Sequence, residues 1–424
     1  MGSAQARRSG TSPAYRDGVS LVDRDPRATA TVRLPISGYL IAFVYVGMCL
    51  SISGPALGHL RDRAGVGIGL SGLLIGGQAL GYIAGSLLSG RFYDHGHGHA
   101  VLVRAGTVGV AGLVVLTFTH QFSVMVASFV LIGLAAAMMD VGGNTLVVWS
   151  CPPGRVGSSL NALHLCFGIG ALATPLVVGR SIDVFGNLTL MVALVAVVLV
   201  AMTWRVHGAA APTRQPAAGH DSGTGSGTGS SPQALLLVCV FFFLYVGAEV
   251  TFAGWLFTYG EQRLSDDGAA SLLVSVFWTG FVVGRVIAVW LARVMSAASL
   301  LVSSCLLATV TSVVLGAGGR SGAVVWMTTA FTGLFLGPQF ATMMAYGDER
   351  LHLTGAATAR LVAAAGLGGL VLPVATGWLL QRRGAGALPF TVAAACLASL
   401  VAVGAVIAAS RQRPPVTSMN APVT

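Results

Sequence analysis

The feature that most constrains this chain is a series of apolar stretches between residues 36 and 409, each about 20 residues long. A helix of that length spans the hydrocarbon core of a bilayer. Only 9% of the residues are charged, whereas a soluble domain carries about 25%. The mean hydropathy is +0.80. The chain is therefore predicted to be an all-α polytopic membrane protein whose main surroundings are the lipid bilayer.

Twelve transmembrane helices are predicted, in two groups of six. The first group covers 36–57, 70–90, 101–119, 124–149, 158–179 and 188–204. The second covers 234–257, 270–292, 299–316, 322–345, 356–380 and 387–409. A Pro/Gly/Ser/Thr-rich stretch between the groups cannot bury a core. We expect an N-terminal tail (1–34), a six-helix bundle (35–204), a flexible linker (205–233), a second six-helix bundle (234–410) and a C-terminal tail (411–424).

The arginines predict the orientation of the chain. All 24 basic residues are arginine, and cytoplasmic loops carry an excess of basic residues close to the spans. If both termini are cytoplasmic, 16 arginines lie on that side, 7 lie on the other, and Arg285 lies within a span. We therefore expect a multi-pass protein of the cytoplasmic (inner) membrane, with both tails and the linker in the cytoplasm. This topology accounts for the net charge of +10 without a nucleic-acid partner.

The two halves contain a faint internal repeat. In the second span, Gly81 and Gly85 lie four residues apart, and in the eighth span Gly280 and Gly284 have the same spacing. Small residues at this spacing let helices approach closely, so packing alone can produce the pattern. Its recurrence in corresponding spans favours duplication and two pseudo-symmetric bundles, as in many transporters.

Four ionisable residues fall inside predicted spans: Asp140, His164, Glu249 and Arg285. A charge at the bilayer centre costs at least about 2.5–3.5 kcal/mol, so such residues mark polar cavities, ion paths or buried pairs. Counting from the predicted span ends places Asp140, His164 and Arg285 in the cytoplasmic half. Glu249 is expected nearer the outer side and apart from the other three.

Asp140 and His164 each have two interpretations. Asp140 is either a protonatable or cation-binding carboxylate, or the structural salt-bridge partner of Arg285 across the two halves. His164 is either a substrate ligand or a hydrogen-bonded core histidine. In both interpretations, Asp140 and Arg285 are expected to be close together.

Aromatic residues accompany the carboxylate of the seventh span. Glu249 lies near Tyr245, Trp255 and Tyr259 in "YVGAEVTFAGWLFTYGEQ". A carboxylate with aromatic faces suits a sugar or polyol, but aromatic residues near the end of a span also form the interfacial belt. Trp255 and Gln339 are candidate substrate-lining residues.

No arrangement typical of an enzyme is present in the sequence. There is no nucleophile–base pair, phosphate-binding loop or metal motif, and the six cysteines are expected to be packing residues. His95, His97 and His99 alternate with glycine in "RFYDHGHGHAV". A short polar turn explains them better than a metal site. We expect no enzymatic activity, no metal and no cofactor other than a coupling ion.

The loop after the second span resembles the signature of the major facilitator superfamily, G-x-x-x-D-(R/K)-x-G-(R/K)-(R/K). Gly90 and Asp94 match this pattern, with Arg91 between them. From His95 onward, histidine and glycine stand where the superfamily has basic residues and glycine. The resemblance implies a gating loop formed by Gly90, Arg91 and Asp94.

A closer resemblance is carried by "MDVGGNTLVVW" and "LNALHLCFGIGALATPLV". These segments are similar to the fourth and fifth spans of the fucose–proton symporter family and its sodium-dependent glucose transporter-like relatives. The segments "ISGPALGHL", "FLYVGAEV", "WTGFVVGR" and "LTGAATARLVAAAGLGGLVLP" are similar to further parts of the glucose-transporter-like branch. The resemblance implies cation-coupled sugar uptake, with Asp140 and Asn144 in the fourth span and Asn161 in the fifth. The fucose symporters have a second acid in the first span, and this chain has none there. Coupling to H+, coupling to Na+ and uncoupled transport therefore all remain open.

Three functions are compatible with the sequence. The first is a secondary transporter that moves a small polar solute, most simply a monosaccharide, by alternating access. The second is an exporter of a drug or secondary metabolite, and the third is a non-transporting receptor or scaffold. Substrate and direction are not determined by fold resemblance. Twelve spans can form a pathway within one chain, so a functional monomer is expected.

Overall fold

The computed structural model describes residues 33–93, 97–151, 153–212, 232–264, 266–318, 321–351 and 355–411. Over these residues the chain forms helices joined by turns, with no strand. This agrees with the predicted all-α fold, since a helix satisfies its backbone hydrogen bonds within one segment and needs no water in the bilayer. The C-terminal tail, nearly all of the N-terminal tail and most of the linker lie outside the described residues.

The described residues contain fourteen helices. The first half has α1 (Arg33–Ser51), α2 (Ser53–Ala64), α3 (Ile68–Tyr93), α4 (Gly98–Phe118), α5 (Phe122–Ser150), α6 (Pro153–Phe185) and α7 (Thr189–Val206). The second half has α8 (Pro232–Leu264), α9 (Asp267–Leu291), α10 (Ala297–Gly318), α11 (Gly322–Leu336), α12 (Gln339–Leu351), α13 (Gly355–Arg383) and α14 (Ala387–Arg411).

Ten of these helices are each long and apolar enough to cross a bilayer. The first predicted span is a pair, α1 and α2, bent by 44°. The tenth predicted span, 322–345, is also broken, because α11 ends before Gly337 and α12 begins after Pro338. Proline has no N–H to donate and its ring clashes with the carbonyl four residues earlier. The chain therefore has broken helices at two of its twelve predicted spans.

Several helices are longer than the spans predicted for them. The clearest case is α8, which runs to Leu264, whereas the apolar pattern predicted an end at residue 257. Hydropathy detects only the part of a helix in hydrocarbon, and a helix can continue into the polar interface. The extension changes the position of Glu249, which lies near the middle of α8 and not toward one end.

The bundle has two ends because successive spans run antiparallel. We call the end where α1 begins and α14 finishes the terminal side, and the other end the opposite side. On the terminal side, the Tyr39 hydroxyl lies 2.7 Å from Nε2 of His99, and Nδ1 of His99 lies 3.1 Å from the carbonyl oxygen of Ala209. These contacts hold α1, α4 and the start of the linker together.

Glycines pack in the same way in both halves. In each half, two glycines one turn apart lie so close to a neighbouring helix that an added Cβ would overlap its carbonyl oxygens. The pairs are Gly81 on Val130 and Gly85 on Leu134 between α3 and α5, and Gly280 on Ala330 and Gly284 on Leu334 between α9 and α11. The predicted repeat of the second and eighth spans is therefore a repeat of helix-packing contacts.

The two halves meet on the opposite side. The side chain of Gln381 in α13 accepts a hydrogen bond of 2.8 Å from the backbone N–H of Gly69 in α3. A Cβ on Gly54 in α2 would lie 2.6 Å from the carbonyl oxygen of Ala253 in α8. These contacts close the opposite side, so the space between the halves lies toward the terminal side.

Candidate functional site

A cavity of about 1500 Å³ lies between the two halves. It runs from the centre of the bundle to the terminal side, where Ser296, Arg350 and Ser410 line it. Most of its wall is aliphatic or aromatic. The polar groups are concentrated toward its centre, where both halves contribute. A cavity of this kind is the usual form of a small-molecule site.

Asp140 lies in this cavity wall with both carboxylate oxygens engaged. The Tyr82 hydroxyl in α3 donates to Oδ2, and Nδ2 of Asn144 donates to Oδ1 at 3.0 Å and to the Asp140 backbone carbonyl at 3.0 Å. Asp140 and Asn144 are four residues apart on α5 and therefore share a face. The approach of α3 to α5 that Gly81 allows brings Tyr82 within reach. The carboxylate is thus held by two neutral donors.

Glu249 occupies the same cavity from the second half. The Tyr245 hydroxyl, one turn earlier on α8, donates to its Oε2 at 2.5 Å. Tyr82, Asp140 and Glu249 all line this cavity. The prediction that Glu249 lies apart from Asp140 is wrong, because α8 continues beyond its apolar segment and places Glu249 at mid-helix. The cavity therefore contains one carboxylate from each half.

Arg285 is the cation of the same region, but it does not form a salt bridge with either carboxylate. Its Nε donates to the carbonyl oxygen of Gly337 at 3.2 Å, at the break between α11 and α12. Its guanidinium carbon lies 4.7 Å from the centre of the Phe281 ring, a cation–π distance. No nitrogen–oxygen contact within 4.0 Å joins it to Asp140 or Glu249. All three residues nevertheless line the same cavity. The expected Asp140–Arg285 contact is absent, because Phe281 and the helix break hold the guanidinium.

His164 and Asn161 project into the cavity from α6. The His164 ring lies edge-on to Phe43, with 5.7 Å between ring centres. Within the described part of the chain, neither side chain forms a hydrogen bond. His164 is therefore not a hydrogen-bonded core histidine, and both side chains keep their polar groups available.

Trp255 and Gln339 do not line the cavity. Trp255 is fully buried and its indole N–H donates to the carbonyl oxygen of Pro373 at 2.9 Å. Gln339 is also buried, donates to the carbonyl oxygen of Phe335 at 3.0 Å, and accepts from the Cys305 thiol at 3.3 Å. The structure therefore places neither residue in the cavity wall, because the Trp255 indole packs on α13 and the Gln339 amide is held by Phe335 and Cys305.

The predicted gating loop is only partly described. Gly90 and Arg91 are exposed at the terminal end of α3, while Asp94 and His95 lie outside the described residues. His97 is exposed, and His99 is buried in the contacts with Tyr39 and Ala209 described above. Among the described residues, no cluster of three or more metal-binding side chains occurs.

Two cavity residues were missed in the sequence because they are neutral. Tyr82 binds Asp140, and Gln78, one turn earlier on α3, donates to the carbonyl oxygen of Cys49 at 2.6 Å. Both line the cavity. The signal was a tyrosine directly after Gly81 and one turn after Gln78, in the middle of a helix whose neighbouring residues are small or aliphatic.

The chain is similar in sequence to named membrane transporters. Residues 39–359 match the family model described as Major Facilitator Superfamily. Sodium-dependent glucose transporter 1A of Mus musculus is 24% identical, and the match covers 80% of this chain and 88% of the mouse protein. Sodium-dependent glucose transporter 1 of Danio rerio is 26% identical over 80% of this chain. That match covers 63% of the Danio rerio protein, so this chain spans less than two thirds of that relative's length.

Solved structures share the fold. The D-xylose-proton symporter has a TM-score of 0.71 at 11% identity, and the match covers 91% of this chain and 98% of the symporter. The nucleoside transporter NupG has a TM-score of 0.70 at 12% identity, and the match covers 89% of this chain and 99% of NupG. At these identities the likeness concerns the fold alone.

Proposed function

Because this chain belongs to the major facilitator superfamily of membrane transporters, we propose that it moves a monosaccharide across the cytoplasmic membrane by alternating access, coupled to H+ or Na+. The protein is a transporter and not an enzyme. The sugar and the coupling ion are the parts of this proposal that need to be tested. The names of the two glucose-transporter relatives support the sugar, and the cavity supports the coupling.

The observation that carries the proposal is the placement of one carboxylate from each half in a single central cavity. Asp140 comes from α5 and Glu249 from α8, and Arg285 from α9 lines the same cavity. A coupled transporter needs ionisable groups whose environment changes when the halves move. Groups that belong to different halves meet this requirement, because any rocking of the halves changes the distance between them.

The contacts around Asp140 suit a coupling role. Tyr82 and Asn144 hold the carboxylate with its oxygens toward the cavity, so it can take up a proton or contribute to a cation site without leaving its helix. An intramembrane carboxylate is by default part of an ion or proton path. Charge loss on Asp140 would also change its attraction to Arg285, which links the coupling ion to the position of the second half.

The orientation follows from the arginine distribution. If the terminal side faces the cytoplasm, the cavity described above opens inward, and Gln381 and Gly54 are parts of the closed outer gate. Uptake would then require these opposite-side contacts to separate. The sugar would enter from outside and leave toward Ser296 and Arg350.

One observation favours a second candidate, the export of a drug-sized compound. The cavity of about 1500 Å³ exceeds the roughly 300–1,000 Å³ of typical ligand pockets. Much of its wall toward the terminal side is aliphatic, including Val286, Val289 and Ala292. An exporter would use this surface to bind apolar compounds, whereas a sugar importer would use only the polar centre.

The test is uptake of radiolabelled hexoses, pentoses and acidic hexoses (D-glucuronate and D-glucose 6-phosphate) into proteoliposomes under an imposed proton gradient, an imposed sodium gradient, or neither. Protein-free liposomes provide the control. Accumulation of a sugar above its external concentration under one gradient supports the proposal and identifies the ion. If no sugar is taken up under any gradient, while an apolar dye is expelled, the exporter replaces it.

A further inference from the structure

We propose that Arg285, His164 and Asn161 form an oxyanion-binding subsite, and that the transported sugar therefore carries a carboxylate or a phosphate. This inference rests on the proposed function and narrows its substrate class from neutral monosaccharides to acidic ones. It is carried by one observation: all three side chains line the cavity and have hydrogen-bonding groups without a partner among the described residues.

The contacts that anchor Arg285 leave its two terminal Nη groups, which we call the guanidinium fork, free to bind a ligand. Nε is used by the carbonyl oxygen of Gly337, and Phe281 lies against the guanidinium. Neither Nη atom hydrogen-bonds to any described residue, and neither is among the buried polar atoms that lack a partner. The fork is therefore accessible from the cavity that Arg285 lines.

The carboxylates of the cavity do not neutralise Arg285 by direct contact. Asp140 accepts from Tyr82 and Asn144, and Glu249 accepts from Tyr245. Both lie beyond 4.0 Å from the nitrogens of Arg285. A cation inside a membrane protein is costly unless an anion or a polar ligand meets it. The arrangement leaves that role to something that enters the cavity.

Two further donors lie on a neighbouring helix. Asn161 and His164 are three residues apart on α6, so they share one face. Both line the cavity and form no hydrogen bond with the described chain. A Cβ on Gly168, one turn beyond His164, would lie 2.3 Å from Cγ2 of Val282, about one turn before Arg285. The close packing of α6 on α9 therefore brings His164 and Arg285 to the same level of the cavity. The amide, the imidazole and the guanidinium thus surround one part of the cavity from α6 and α9.

The chemistry of this cluster selects an oxyanion. A guanidinium fork matches the two oxygens of a carboxylate or phosphate and forms charge-assisted hydrogen bonds to them. A neutral hydroxyl can accept a hydrogen bond from the same fork, but it lacks the negative charge that strengthens the bond to an oxyanion. Carboxylate and phosphate groups share this chemistry, so both a hexuronate and a hexose phosphate fit the subsite.

The experiment compares binding of three hexose probes to the purified full-length protein. The probes are D-glucuronate, D-glucose 6-phosphate and D-glucose, measured by equilibrium dialysis at fixed ionic strength. The variants are Arg285→Gln, which removes the charge, and Arg285→Lys, which keeps it without the fork. Arg293→Gln is the matched control, because Arg293 is exposed just beyond α9 and does not line the cavity. Thermal unfolding of each variant in detergent checks that it folds.

We expect the wild type to bind at least one acidic hexose about tenfold or more tightly than D-glucose, because hydrogen bonds to charged groups are among the stronger ones. Arg285→Gln should abolish that preference, so that the acidic hexoses bind no more tightly than D-glucose, and Arg285→Lys should retain part of it. The ratio between the two acidic probes distinguishes a carboxylate from a phosphate. Arg293→Gln should match the wild type.

Two results overturn the inference, and they differ in what else they overturn. If the wild type binds D-glucose as well as both acidic hexoses, or if Arg285→Gln keeps the preference for an anion, the oxyanion subsite is wrong and sugar transport stands. If none of the three hexoses binds and none of the sugars in the uptake panel is accumulated, the proposed function fails together with the subsite.

Discussion

The first and second halves of the molecule share the glycine contacts that set the spacing of their helices, but they differ in the side chains that line the cavity. The sequence "YVGMC" at 45–49 in α1 recurs as "YVGAE" at 245–249 in α8. Gly47 packs closely on α6 and Gly247 on α13, so the two segments occupy corresponding places. Where α1 has Cys49, α8 has Glu249. The acid missing from the first span is therefore present in its counterpart in the other half.

The same contrast holds for the other carboxylate. In the first half, Tyr82 follows Gly81 in α3 and contacts Asp140 in α5. In the second half, Gly280 in α9 is the counterpart of Gly81, and the residue after it is Phe281. Phe340 in α12 is the counterpart of Asp140, because corresponding residues of the two halves lie about 200 positions apart. The second half thus has two phenylalanines where the first half has a hydrogen-bonded tyrosine and carboxylate.

The comparison separates two kinds of residue. Those that set the distances between helices are repeated, because both halves must solve the same packing problem. Those that face the cavity are not repeated, because a second copy of each carboxylate would place more like charges in one space. The chemistry of the protein lies in the differences between its halves.

Substitution of Gly81 or Gly280, which set the spacing between helices, should have the largest effect on folding stability. The effect should be the same in both halves. Gly81→Ala and Gly280→Ala each add a Cβ that overlaps a backbone carbonyl, which cannot move without shifting its helix. We expect a loss of about 3 kcal/mol or more in folding stability, at the upper end of the range for overpacking. Thermal unfolding in detergent, together with the yield of monodisperse protein, measures it.

Gly90→Ala is the matched control, because a Cβ there meets nothing within 4 Å at the exposed end of the same helix. It should leave folding stability unchanged. If Gly81→Ala or Gly280→Ala is as stable as Gly90→Ala, that glycine is not required for close packing of its helix.

Substitution of a cavity residue should affect only one half. Glu249→Gln removes the carboxylate that accepts from Tyr245, and we expect gradient-driven uptake to fall about tenfold or more because a charge-assisted hydrogen bond is lost. Cys49→Ala changes the corresponding position in the first half, which carries no ionisable group in use, and uptake should stay within about twofold. Initial rates in proteoliposomes measure both. Equal effects of the two substitutions would mean that the halves are functionally equivalent here.

The smallest expected effect concerns the helix starts on the opposite side. The first turn of α3 is capped across the halves by Gln381, whereas the first turn of α9 is capped by its own Asp266, which accepts from Gly268 at 2.8 Å. Each cap contributes about 1 kcal/mol. Gln381→Ala should increase hydrogen–deuterium exchange at the start of α3 and the end of α13 together. Asp266→Ala should increase it at the start of α9 alone. Exchange confined to one helix in both variants would show that Gln381 does not join the halves.

Much of the fold could be predicted from the sequence, because each span satisfies its own backbone and needs only apolar length to be recognised. The positions of most spans followed from this, and so did the tight contacts of Gly81 and Gly280. The breaks in α1–α2 and α11–α12 were not predicted. Hydropathy does not detect a bend inside an apolar segment, although Pro338 was a local signal for the second one.

The site was harder to predict than the fold. Asp140, Glu249 and Arg285 stood out because charge is rare in a span, but their mutual positions depend on helix packing that no single segment encodes. Glu249 was placed too near one end because the polar extension of α8 is not part of the apolar pattern. Tyr82 carried no charge and was overlooked. Trp255 was expected in the cavity wall but packs on α13, because the rotation of α8, which its sequence does not encode, decides which of its aromatic residues face the cavity.

Asp140 is the residue proposed to couple an ion to sugar movement. The most direct measurement compares gradient-driven accumulation with exchange at equal ion concentrations, for wild type, Asp140→Asn and Asp183→Asn, in one set of proteoliposomes. Asp183 is exposed near the end of α6 and serves as the control. If Asp140 couples the ion, Asp140→Asn still exchanges sugar but no longer accumulates it, while Asp183→Asn does both. Accumulation by Asp140→Asn at the wild-type level would show that Asp140 is not the coupling residue.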